Sequence, residues 1–279
     1  MLGAFVIGFI FGSFLNVCIL RIPHGGSIVR PASRCPGCEQ PIRWYDNIPV
    51  LSWIVLRAQC RNCGVKISLQ YPSIELATGL WFATATGISF YGLTSILSLL
   101  NPTALIQTLS LCALGFLLIG LAVMDWQTQL LPDEFTLGGT FLGLVFIATE
   151  TFFIPSVEYK TFFTPEEILI GKHILAALGG YLLLVLIRFL YKRLRKRDGM
   201  GLGDAKLLAL IGIFLGFGPA IVALFVAVLT ASIYGTALLL RGRATATSKL
   251  PFGSFLAAAG LLSALVGDRI IDWYATLFR

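Results

Sequence analysis

The amino-acid sequence predicts an all-α polytopic membrane protein of about eight transmembrane helices, with a small zinc-ribbon-like cytoplasmic insert after the first. Three observations predict it. Apolar residues make up 57% of the chain and charged ones 13%, against roughly half and a quarter in soluble domains. The apolar residues are gathered into long uncharged runs, and about 20 residues suffice for a helix to cross the hydrocarbon core. The basic residues cluster in three of the segments between those runs.

The first run, 2–20, has no Lys or Arg before it and no small-residue cleavage site after it, so it reads as a retained anchor and not a removable signal. Residues 21–73 then break the apolar pattern. Seven further runs follow, at 74–92, 104–124, 135–153, 171–191, 205–217, 219–240 and 251–267. The sixth is short, and Gly216, Gly218 and Pro219 interrupt the chain before the seventh, so these two form either two crossings or one broken element. Arg21 and the basic stretch behind it place the N-terminus outside and 21–73 in the cytoplasm. With eight crossings, 17 of the 21 Lys and Arg fall on the cytoplasmic side, leaving Lys160, Lys172, Arg269 and Arg279 outside. The net charge of +7 is then a basic rim facing membrane lipids and calls for no nucleic-acid partner. Three parts result: a first transmembrane helix at 1–20, an insert at 21–73 and a membrane-embedded domain at 74–279.

The insert is rich in Pro, Gly, Arg and Cys and too small to rest on a hydrophobic core of its own. It carries two C-x-x-C pairs, Cys35-Cys38 and Cys60-Cys63, with 21 residues between them. That spacing reads as a four-thiolate zinc site. Two disulfides compete, but a cytoplasmic insert keeps its thiols reduced. A redox C-x-x-C needs only one pair and a strand-helix setting that is missing here. Four thiolates complete a tetrahedron and leave no position for water, so such a zinc folds the insert and hydrolyses nothing. Cys18 and Cys112 lie within apolar runs and read as small hydrophobes.

An ionisable residue at membrane depth is costly and is a functional candidate by default. Asp125 closes the third membrane run and Asp204, within Gly201-Leu202-Gly203-Asp204-Ala205-Lys206, opens the sixth. The proposed topology puts both at the cytoplasmic border. Two carboxylates brought together there share a proton, one acting as general base toward water and the other as general acid, which is peptide hydrolysis without metal or covalent nucleophile. Gly201 and Gly203 let a substrate strand approach the backbone. The plain alternatives are that Asp204 caps a helix and Asp125 ends one. Asp133, beside Pro132 and Glu134, reads as a first-turn acid in a supporting role. Glu75 heads the second run as an interfacial helix-start residue or a group facing the site. His24 and His173 have no Ser or Cys partner legible in the sequence.

These residues carry a resemblance. The chain resembles the bacterial type IV prepilin leader peptidase and N-methyltransferase enzymes, through Gly12-Ser13-Phe14-Leu15-Asn16-Val17, Arg21-Ile22-Pro23, both C-x-x-C pairs, Trp44-Tyr45-Asp46-Asn47-Ile48-Pro49 and Tyr71-Pro72 to Glu75-Leu76. It continues through Asp125 to Asp133 and Gly199-Met200-Gly201-Leu202-Gly203-Asp204-Ala205-Lys206. The resemblance implies an intramembrane-type aspartic protease of the bacterial inner membrane with Asp125 and Asp204 catalytic. It also implies cleavage of the basic leader of type IV prepilins or secretion pseudopilins after a glycine. It further implies methylation of the new N-terminal amine with S-adenosylmethionine, an activity associated with the insert. No Rossmann-like glycine loop marks a site for that cofactor.

Two other classes of function compete. A transporter would use Asp125, Asp204 and Lys206 as a proton or cation relay, but such relays sit at the midplane between inverted repeats, and no repeat is detectable. An adaptor docking a partner through its zinc insert would need only an anchor, not seven further crossings.

Overall fold

The computed structural model describes residues 1–90, 102–153, 165–196, 201–243 and 249–277. Among them every regular element is helical, and the only β pairing is two isolated bridges, Arg34 with Pro41 and Gln59 with Lys66. The chain forms two compact units, Met1–Leu100 and Asn101–Arg279.

The first unit holds α1 (Leu2–Arg21), a short α2 (Leu51–Val55), α3 (Gln70–Ser89) and two 3-10 turns, Ile22–His24 and Trp44–Asn47. Helices α1 and α3 pack at backbone contact. A Cβ at Gly8 would lie 2.7 Å from the Gly79 Cα, and one at Gly12 would lie 2.6 Å from the Glu75 Cα. Small residues four apart permit that approach in lipid, where close packing replaces the hydrophobic drive. One turn on, Asn16 Nδ2 donates to the Gly12 carbonyl at 3.2 Å and to the Tyr71 carbonyl at 3.1 Å, tying the end of α1 to the start of α3.

The second unit holds α4 (Pro102–Thr128), α5 (Asp133–Phe152), α6 (Pro165–Arg195), α7 (Leu202–Leu215), α8 (Phe217–Leu240) and α9 (Phe252–Thr276). Fourteen residues make α7 about 21 Å long, short of the roughly 30 Å hydrocarbon core. Beyond Lys206 it is apolar on all sides and packs against α4, α5, α6, α8 and α9, so Leu207, Leu208, Leu210 and Ile211 are buried. A helix hydrophobic all round belongs inside a bundle.

Each of the eight apolar runs corresponds to a helix. The second ends at positions 91 and 92, outside the described residues. Among the described residues six helices are long and apolar enough to cross a membrane: α1, α4, α5, α6, α8 and α9. Between α7 and α8 the break is a single residue, Gly216, with φ 80° and ψ −175°. That backbone is open to glycine and closed to a side chain. Residues 205–240 therefore form two helices and not one interrupted element.

Candidate active site

Asp125 lies in the last turn of α4, where a carboxylate faces the negative end of the helix dipole. The start of α9 offsets this. The Ser254 N–H donates to Asp125 Oδ2 at 2.7 Å, and the Ser254 hydroxyl shares its one proton between the same oxygen at 3.1 Å and the Ala122 carbonyl at 2.8 Å. Gly253 makes the approach possible, because a Cβ there would meet Asp125 Cγ at 3.0 Å and Leu131 Cδ1 at 2.9 Å. The α4 terminus is held further by Gln129, whose φ of 55° ends the helix and whose Nε2 donates to the Lys249 carbonyl at 3.4 Å.

Asp204 is the third residue of α7, behind an extended Gly201 at the N-cap. Its carboxylate accepts the Gly201 backbone N–H, as a third-position acid does in a capping box. It also feels the like charge of Asp125. The plain capping role and the pairing of carboxylates thus coexist. Asp125 and Asp204 are 5% and 7% exposed, so water does little to screen one from the other. Leu131 bridges the two neighbourhoods: a Cβ at Gly203 would meet its Cβ at 3.0 Å, and one at Gly253 its Cδ1. Three helix ends, those of α4, α7 and α9, therefore converge around two buried carboxylates.

Of the supporting residues, Asp133 begins α5 and its Oδ1 pairs with Lys206 Nζ at 2.6 Å, joining α5 to α7. The pair is largely solvated, Asp133 being 58% exposed, and such bridges contribute about 0–1 kcal/mol. His173 Nδ1 bonds to the Ile213 carbonyl at 2.9 Å, a structural contact between α6 and α7. Gly199 and Met200 of the glycine motif lie outside the described residues. Glu75 belongs to the other unit, where its Oε2 accepts the Val50 N–H at 2.7 Å. Ser254 escaped the sequence reading. The signal for it was Pro251-Phe252-Gly253-Ser254, a helix-start pattern at the head of an apolar run.

In the first unit the four insert cysteines converge, their sulfurs all within 4.8 Å of one another. Each pair sits in the same turn. The Cys35 N–H donates to the Gln40 carbonyl and the Cys60 N–H to the Val65 carbonyl. Glu39 and Gly64, each just after the second cysteine, take positive φ. Cys35 and Cys63 Sγ are 3.7 Å apart, the edge of a tetrahedron with Zn–S near 2.3 Å being about 3.8 Å. The backbone N–H groups of Cys38 and Gly37 pull the Cys35 thiol down, while burial and the neighbouring sulfurs push that of Cys63 up, so the four titrate as one cluster. A metal ion fits this donor set. Asp46 and Arg61 brace the second turn at 2.6 Å, and the guanidinium holds the Asp46 carboxyl below its ordinary range.

Residues 6–88 match the bacterial peptidase A24 N-terminal domain, and 112–236, which include both aspartates, match the type IV leader peptidase family. Among curated relatives, the prepilin leader peptidase/N-methyltransferase of Aeromonas salmonicida is 31% identical over 295 residues, covering 97% of this chain and 92% of the relative. That of Burkholderia pseudomallei is 34% identical over 290 residues, covering 95% and 84%. That of Neisseria gonorrhoeae is 32% identical over 300, covering 98% and 94%. No solved structure matches the chain. The likeness runs through both units and across the paired aspartates and the cysteine cluster alike, and on it the chain belongs to the type IV leader peptidase family.

Proposed function

We propose that this protein cleaves the leader peptide of type IV prepilins and type II secretion pseudopilins with Asp125 and Asp204, and then methylates the new N-terminal amine. The observation that carries the first step is the convergence of two buried carboxylates at one end of the second unit. Like charges so placed share one proton. The ionised carboxylate takes a proton from water as the oxygen attacks the scissile carbonyl. The protonated one then delivers its proton to the departing amine, and the next water resets the pair. The exposed, extended Gly201 leaves the backbone before α7 bare for an extended substrate, Gly203 lets α7 pack against Leu131, and Lys206 and Asp133 hold α7 against α5.

In the insert, Cys35, Cys38, Cys60 and Cys63 would hold a zinc ion with a closed structural shell. For the second step, bound S-adenosylmethionine supplies an electrophilic methyl: the free amine takes it, the C–S bond breaks toward sulfur and nitrogen loses a proton. Residues 21–73 act as the zinc-binding insert and 74–279 as the peptidase domain. The chain sits in the bacterial inner membrane with the N-terminus outside and the aspartates at the cytoplasmic face, as the 17 of 21 basic residues favour. The positions best suited to reporter fusions on either side, Arg197 and Tyr159, lie outside the described residues.

One experiment tests both activity and orientation. A pilin precursor added to inside-out membrane vesicles carrying the protein is expected to shift in mobility on cleavage, and to gain a methyl group when S-adenosylmethionine is supplied. No cleavage by vesicles or by solubilised protein overturns the peptidase reading. Cleavage confined to right-side-out membranes reverses the orientation.

Ser254 positions Asp125. Ser254→Ala removes the hydroxyl and leaves the backbone N–H in place, so the expected loss is that of one hydrogen bond, about 0.5–1.5 kcal/mol. Cleavage should slow roughly two- to tenfold. Initial rates across pH check it, and an unchanged rate and pH profile removes Ser254 from the site.

A further inference from the structure

Within the insert, residues 48–56 form an uncharged apolar stretch between Asn47 and Arg57, and α2 is its centre. Leu51, Ile54 and Val55 stand three and four residues apart and so share one face of that helix. Each is between 55% and 66% exposed. The polar groups are arranged the opposite way. The backbone N–H groups of Val50, Ser52, Ile54, Leu56, Arg57 and Ala58 all have acceptors within the unit. The Ser52 hydroxyl donates to the Tyr45 carbonyl and the Trp53 indole N–H to the Ile67 carbonyl, each at 3.2 Å. A segment that turns its apolar side chains outward while satisfying its own polar groups is built for an apolar surrounding and not for water.

Its place along α1 supplies that surrounding. Helix α1 is long and apolar enough to cross a membrane, and Gly12 is the eleventh of its twenty residues. Glu75 packs on Gly12 at backbone contact, and its Oε2 accepts the Val50 N–H at 2.7 Å. Nine residues separate Gly12 from Arg21 at the end of α1, about 13 Å along the helix axis. A glutamate side chain stretched toward the insert covers less than half of that. Val50 and the start of α2 therefore lie below the level of Arg21, on the membrane side of it. The charge of the insert agrees: residues 21–73 carry seven Lys and Arg against two acids, Glu39 and Asp46, and Asp46 is taken up by Arg61. Such an excess attracts anionic lipid headgroups and repels a basic peptide.

We propose that α2 is seated in the membrane, with Leu51, Ile54 and Val55 among the acyl chains just beneath the headgroups of the leaflet that borders the insert. Elements that lie in this way sink about 5–10 Å into the headgroup and acyl boundary, in keeping with a start below Arg21. The buried carboxylate of Glu75 then has a structural task, because it satisfies the Val50 N–H at the non-helical entry to α2, where lipid offers no acceptor. The insert is thus not a wholly aqueous domain, and the inference depends on neither the peptidase nor the methyltransferase reading.

The test uses the full chain carrying Ile54→p-benzoylphenylalanine, reconstituted into vesicles of phosphatidylethanolamine and phosphatidylglycerol and irradiated. Mass spectrometry of the peptide around position 54 reads what that side chain touches. The expected main product is a phospholipid adduct. It should be lost when Leu51→Asp and Val55→Asp are added, because charge on that face is costly among acyl chains. A wild-type melting temperature establishes that the added substitutions, both at exposed positions, leave the chain folded. An adduct joining position 54 to residues 101–279, to a second copy of the chain or to an added pilin precursor shows the face covered by protein and overturns the proposal. So does the absence of any adduct, which leaves the face in water, and so does a phospholipid adduct undiminished in the folded Asp variant.

Discussion

Asp125→Ala and Asp204→Ala are each expected to abolish leader cleavage while the protein stays folded in the membrane. General acid and general base contribute about 10²–10⁴-fold apiece, and neither carboxylate can do the other's task. Asp→Asn at either position should fail nearly as badly, because an amide keeps the size but takes no proton from water and passes none to the leaving amine. At position 125 the amide also presents N–H donors or a neutral oxygen where Ser254 now donates to an anion. The double variant should be hardly worse than either single one, since residues that act as a unit lose their contribution together. Folding should survive: α4 and α7 are held by apolar packing, and removing a buried carboxylate also removes its desolvation cost. Asp133→Ala is the internal contrast, because a solvated pair with Lys206 is worth about 0–1 kcal/mol. Mobility-shift assays on purified variants, with thermal unfolding as the fold control, decide the matter. Normal cleavage by folded Asp125→Ala or Asp204→Ala protein sinks the aspartic-protease reading.

The contrast between Asp125 and Ser254 marks how far the sequence could be read. Asp125 was legible because a charge at the end of an apolar run is expensive and therefore conspicuous. Ser254 was not, because a serine behind Pro251 and Gly253 is what any helix start looks like. Its meaning depends on the start of α9 meeting the end of α4, a contact 129 residues apart in the chain. The helices themselves were legible, since length and hydropathy alone make a membrane run. The shortness of the sixth run was legible, but its place was not: only packing shows α7 as a central helix. The cysteine pairs were legible from spacing, whereas the match between their two turns, with Glu39 and Gly64 both at positive φ, needed the backbone. Glu75 was noticed as a helix-start acid. That its carboxylate accepts the Val50 N–H, 25 residues back in the chain, became apparent only in the fold.

Loss of a single insert cysteine is expected to cost the whole insert its fold. Between residues 22 and 70 Cys35 is the only buried residue, so no apolar core stands behind the cysteine cluster. Structural zinc in small domains supplies about 10–16 kcal/mol of binding energy that is also folding energy. Two short turns and the Asp46–Arg61 pair cannot replace that. None of the six cysteines is in a disulfide, so no such bond braces it either. Wild-type protein should carry one zinc per chain. Cys35→Ser and Cys63→Ser should each release it, open residues 21–73 to protease and lower the yield of folded protein. Elemental analysis of purified protein and limited proteolysis read both effects. Wild-type protein devoid of zinc, or a Cys60–Cys63 pair found oxidised in cells, overturns the structural-zinc reading, and with it the expectation that the insert folds around a metal.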